Sequence, residues 1–137
     1  PTEAALAWHQ GFRAGDNVVL PHGFFFGPEG SFDWRAPIAL RRSGEAWRKD
    51  EVDEILLRWP ERYGDLVSRI TCPTLCILSE NERIWETREV ELAAMRASFA
   101  PGVARVELAA GGGHLYEVHR NWSAHAGRII AFVEGHI

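Results

Sequence analysis

Apolar residues recur at Ala5, Leu6, Trp8 and Phe12, one face of a helix over residues 3–13, with Thr2 placed to cap it and Gly15 just past its end. Residues 17–20 form a short apolar run between Asp16 and Pro21, the pattern of a buried strand. From Pro21 to Pro37 the periodicity dissolves. Gly23, Gly27, Pro28 and Gly30 are interleaved with Phe24, Phe25, Phe26, Phe32 and Trp34, which predicts a loop too aromatic for a plain solvent-facing linker. Ser43 or Asp50 is placed to start the next helix. Val52, Ile55, Leu56 and Trp59 share one helical face, Pro60 breaks or restarts the helix, and Tyr63, Leu66, Val67 and Ile70 continue the period.

The second half has sharper edges. Residues 74–78 are continuously apolar, the signature of a strand buried on both faces. Residues 86–99 read as a helix with Leu92, Met95 and Phe99 on one stripe, stopped by Pro101 and Gly102. Over 104–108, Ala104, Val106 and Leu108 point one way and Arg105 and Glu107 the other, as in an edge strand. Gly111, Gly112 and Gly113 make a flexible turn. Asn121 caps a last helix whose stripe is Trp122, Ala126, Ile129, Ile130, Val133 and Ile137. Strands alternating with helices predict an α/β chain with βαβ units and parallel strands, 17–20 joining 74–78 and 104–108 in one sheet.

Composition narrows the function classes. The 137 residues are 46% hydrophobic and 25% charged, the size and makeup of one globular domain. Lys and Arg number 15 against 19 Asp and Glu, with no basic run, so nothing points to nucleic acid. No apolar run approaches the roughly 20 residues of a membrane crossing. Cys72 and Cys76 fall four residues apart in one predicted strand, about 13 Å apart at the strand rise. That exceeds the roughly 7 Å reach of a disulfide, so they read as small buried hydrophobes in a reducing, cytoplasmic setting. Six Trp require large apolar surfaces to pack, an aromatic-lined pocket, or both.

Ile70, Thr71, Cys72 and Pro73 lead into the apolar run 74–78, followed by Ser79, Glu80, Asn81 and Glu82. A helix over 86–99, a strand over 103–108, Gly113 with His114, and a helix over 121–137 complete the series. In this order and spacing, residues 70–137 resemble the C-terminal part of an α/β-hydrolase. Residues 2–20 resemble, more weakly, the helix after the nucleophile and the next strand. The resemblance implies a partial α/β-hydrolase domain over 1–137, its core at 1–22 and 71–137 and a lid or cap at about 23–70. It implies Glu82 as catalytic acid, ahead of Glu80, and His114 as base. The family's nucleophile elbow, Gly-x-Ser-x-Gly, has no counterpart, since Gly30 and Ser31 lack the second glycine. The nucleophile and oxyanion hole are thus expected on an N-terminal half of the same fold, as a missing segment or a second chain. A further departure is His119, near which relatives often carry an acidic residue.

The chemistry implied is hydrolysis of an ester, lactone or other small apolar or aromatic acyl substrate. A serine hydroxyl cannot attack unaided; a His must accept its proton, and a carboxylate must fix the tautomer of that His. Loops at the carboxyl ends of parallel strands share one rim, so Glu82 and His114 can meet there. Phe25, Trp34 and Trp47 are candidates to line the substrate pocket, against the plainer reading of lid-to-core packing. No cofactor is expected. His114 and His119, five apart, would point about 140° apart on a helix, and neither zinc-protease motif is present, so no metal is expected either. The rival reading is a hydrolase-like fold kept as a non-catalytic binding or scaffold module.

Overall fold

The computed structural model describes residues 1–19, 21–43 and 46–136, and the backbone alone of His22 and Ser43. Leu20 and Ile137, the ends of two predicted segments, lie outside it, and a helix start at Ser43 is not supported by the elements on either side.

Helix α1 (Glu3–Gln10) starts where the sequence predicts and ends three residues early. The Thr2 hydroxyl accepts from the Ala5 amide at 3.1 Å and donates to the Arg83 carbonyl at 2.6 Å, so one side chain caps the helix and ties it to a distant loop. Strand β1 (Asn17–Val18) departs from expectation: it pairs antiparallel with β2 (Trp47–Arg48) rather than joining the main sheet. Its side chains explain this. Val18 is buried, whereas Val19 is exposed, so the apolar run supports one inward contact and no two-faced burial.

The stretch read as loop contains a short helix, α2 (His22–Phe25), and the start of α3 (Arg35–Ser43). Pro37 hid α3, yet it falls in the first turn, where its missing N–H costs nothing. The Asp33 carboxylate accepts from the Arg35 amide at 2.9 Å and satisfies one donor of that turn. Next come α4 (Lys49–Asp53), a π-helical turn (Glu54–Arg58) and α5 (Trp59–Val67), in one continuous run. Pro60 has no N–H to offer the Leu56 carbonyl and would clash with it; the wide turn just before it opens the space.

Val18, Val52, Leu56 and Ile84 form a buried cluster, with Trp8, Phe12, Phe24, Phe25 and Trp85 packed around it. Beside it His9, which carries no role in the sequence reading, is buried against Asp53 and Lys49 and joins α1 to α4. The bonds from Lys49 and then His9 hold the Asp53 carboxyl below its ordinary range.

Strand β3 (Thr74–Ser79), helix α6 (Glu89–Ser98) and strand β4 (Ala104–Ala109) form the expected βαβ unit. The strands pair in parallel, from Thr74 with Ala104 through Ser79 with Ala109. Leu92 and Phe99 are buried and Met95 half-buried, as the α6 stripe predicts. Two expectations are corrected. Residues 74–78 are only half-buried, because among the described residues β3 pairs with β4 alone. Cys72 lies before β3 and is exposed; Cys76 is half-buried, and both are free thiols. A short 3-10 turn (Tyr116–Val118) precedes α7 (Trp122–Glu134). The α7 stripe is helical as predicted, but Trp122, Ile129, Ile130 and Val133 face outward and are exposed. Among the described residues, no helix is long and apolar enough to cross a membrane.

Candidate active site

The β3–β4 ladder does not stop at the strand ends. The Glu80 amide donates to the Ala109 carbonyl at 2.9 Å and the Asn81 amide to the Gly112 carbonyl at 3.0 Å. These bonds draw the loop after β3 against the loop after β4, and they bring together two residues 32 positions apart. His114 Nδ1 donates to Glu82 Oε2 at 2.7 Å. Glu80 turns elsewhere: its carboxylate accepts from the Gly111 amide at 2.9 Å and steadies the His114 loop.

Glu82 is held from behind. Its Oε1 accepts from the amides of Ile84 at 2.7 Å, Arg83 at 2.9 Å and Trp85 at 3.4 Å. The side chain is 6% exposed, against 32% for His114. Burial pushes the Glu82 carboxyl up. The hydrogen bond from His114, the Ile84 amide, the imidazole charge and the Trp85 amide outweigh it and leave the group below the ordinary glutamate range. The acid is therefore fixed, dry on one side and ionised. Among the described residues nothing bonds His114 Nε2, and the ring keeps an accessible side.

The sign of the Glu82 shift sets a pH dependence. A carboxyl whose folded pKa is depressed adds stability that is fully present above its unfolded value, about 4.3. That stability is lost as pH falls through the lower, folded value. Urea unfolding between pH 6 and pH 3 is expected to show a smaller loss of stability in Glu82→Gln than in the wild type. Equal losses would mean that Glu82 is not held as described.

Of the predicted pocket residues, Phe25 reaches the site. Its ring lies 6.0 Å from the His114 ring, inclined at 59°, and its carbonyl accepts from the Leu115 amide at 2.8 Å. Trp34 is 68% exposed and Trp47 lies on the exposed β2; neither ring is among those packed on His114 or the core. Both follow from local structure: Trp34 immediately precedes α3, and Trp47 sits on a two-residue strand with both side chains outside.

The sequence reading missed the backbone partners of Glu82 and the crossing of Gly27 with Gly113 behind His114. The signal for the crossing was present as a glycine in each of two loops. His119 has a packing role: it is buried, stacks on Tyr116 at 4.9 Å, and accepts from the Asn121 amide at 3.1 Å. Among the described residues, no three His, Cys, Asp or Glu side chains converge as a metal site.

No family model, no curated protein and no solved structure matches this chain.

Proposed function

We propose that Glu82 and His114 are the acid and base of a nucleophile–His–acid triad in an α/β-hydrolase-type enzyme. Its substrate is an ester, lactone or other small acyl compound, and its nucleophile lies on a further segment or a second chain. The observation that carries this reading is the 2.7 Å bond from His114 Nδ1 to a buried carboxylate, with Nε2 left unbonded among the described residues. That is the tautomer a general base requires. For a serine nucleophile, Nε2 takes the hydroxyl proton as the oxygen attacks the carbonyl carbon. Glu82 stays ionised and stabilises the imidazolium, which then protonates the leaving group. A water attacks the acyl-enzyme by the same exchange in reverse.

Surface area supports completion by further protein. The chain exposes 9027 Å², against roughly 7,200 Å² for a closed monomer of 15.4 kDa. The excess of roughly 1,800 Å² lies on this chain alone, about twice what one partner gives to a standard interface and in the range of an obligate one. Among the described residues, the free edge of β3 and the outward stripe of α7 are where apolar surface and unpaired strand lie open. Two free thiols agree with a reducing compartment, which we read as the cytoplasm.

The test is hydrolysis of p-nitrophenyl acetate by the full-length protein, with a fluorophosphonate probe and mass spectrometry to find the nucleophile. Turnover with a single labelled residue outside these 137 supports the reading. No turnover and no label would favour the binding-module alternative.

A further inference from the structure

The loop ahead of His114 is fastened at each residue from Ala110 to Gly112, and one fastening comes from the far side. The Gly111 amide donates to Glu80, and the Gly112 carbonyl accepts from the Asn81 amide at 3.0 Å; both partners lie on the loop after β3. The Ala110 carbonyl is taken by Tyr116, whose hydroxyl donates to it at 3.1 Å. Tyr116 opens the 3-10 turn that follows His114, so this bond closes a ring of chain with His114 inside it.

The same side chain backs Gly112. That glycine is buried, and a Cβ on it would collide with two carbons of the Tyr116 ring. The ring therefore fills the place of a side chain on the residue whose carbonyl the Asn81 amide bonds. It has firm neighbours of its own. Its centroid lies 4.9 Å from that of His119 and 4.8 Å from that of His125. His119 is buried, accepts the Asn121 amide on Nδ1 and pairs through its backbone with Phe32, so Tyr116 rests on a fixed surface.

Packing alone does not call for a tyrosine, since a phenylalanine ring fills the same space. The bond from its hydroxyl to Ala110 is exposed, and there water offers an equal partner, so the gain in stability is small. What the bond supplies is direction. It fixes the start of the loop while the ring presses on its middle, and both act where the β3–β4 ladder runs on toward His114.

We propose that Tyr116 is a positioning residue for His114: its hydroxyl and ring hold residues 110–112 on the ladder so that Nδ1 meets Glu82. The consequence for turnover rests on the triad reading; the effect on the bond between His114 and Glu82 does not.

The experiment compares the full-length wild-type protein with Tyr116→Phe, which keeps the ring, and Gly112→Ala, which displaces it. Proton NMR follows exchange of the downfield His114 Nδ1 proton with water, and hydrolysis of p-nitrophenyl acetate gives kcat and KM. In Tyr116→Phe the proton is expected to exchange at least about threefold faster and kcat to fall about three- to tenfold, with KM and the melting temperature near wild type. Gly112→Ala is expected to change the exchange and kcat further in the same direction. Exchange at the wild-type rate in Tyr116→Phe would overturn the proposal, whatever the melting temperature does. So would an unchanged kcat in an active enzyme, or a wild type without the downfield proton, since there would then be no bond to position. If no form turns over the ester while the Nδ1 proton responds as expected, the hydrolase reading fails and the positioning by Tyr116 stands.

Discussion

In the complete enzyme, His114→Ala is expected to lower turnover of an ester substrate by about 10³- to 10⁴-fold. The melting temperature should change little, because the ring is partly exposed and its main bond is to Glu82. Glu82→Gln is expected to come close to the same loss by a different route. The amide oxygen can still accept from Ile84 and Arg83, so the loop keeps its shape. The amide nitrogen, however, would face Nδ1 and donate to it. That inverts the tautomer and puts the imidazole proton on Nε2, where a base must be bare. The loss should therefore appear in kcat with KM nearly unchanged. Glu80→Gln is the control: its carboxylate meets the Gly111 amide, an amide oxygen can take that bond, and turnover should stay near wild type. Near wild-type turnover by His114→Ala would remove the triad reading altogether. A loss in Glu80→Gln equal to that in Glu82→Gln would reassign the acid.

The parts of the fold legible in the sequence are those whose partners lie close along the chain. The run 74–78, the α6 stripe and the alternation at 104–108 define strand, crossover and strand, and two parallel strands joined by one helix have few other ways to pair. The Glu82–His114 contact follows from that register, because both residues sit just beyond carboxyl ends that the ladder aligns. Much of what stayed hidden was set by distant partners. Nothing local in Asn17 and Val18 names Trp47 and Arg48 as their neighbours, 29 to 31 positions away. A proline at Pro37 reads equally as loop or first helical turn until the Asp33 carboxylate is seen at the Arg35 amide. The α7 stripe gives the period of the helix but not what covers it.

The second large effect is expected at Gly113. A Cβ there would lie 2.9 Å from the Phe25 carbonyl oxygen and closer still to the Gly27 nitrogen and the Phe26 carbonyl carbon. A Cβ on Gly27 would in turn lie 2.9 Å from the Gly113 nitrogen and 3.0 Å from the Gly111 carbonyl oxygen. Two lengths of backbone therefore cross in direct contact; a Cβ on Gly27 also meets the Ser31 hydroxyl at 2.8 Å, but at Gly113 every near atom is backbone and no flexible side chain is available to yield. The Leu115 amide bond to Phe25 closes the crossing on its far side. Gly113→Ala must push the two segments apart, at a cost of about 1–3 kcal/mol, several degrees in melting temperature. The shift falls immediately beside His114, so its bond to Glu82 should lengthen. The downfield Nδ1 proton signal expected of that bond in the wild type should weaken or vanish. Gly127 gives the contrast: it lies inside α7, and a Cβ there meets nothing within 4 Å. Gly127→Ala should stabilise the helix by about 0.5–1 kcal/mol. If Gly113→Ala melts at or above the wild-type temperature with the Nδ1 signal intact, the crossing does not hold His114 in place, and the support for the site must come from the ladder between the two loops alone.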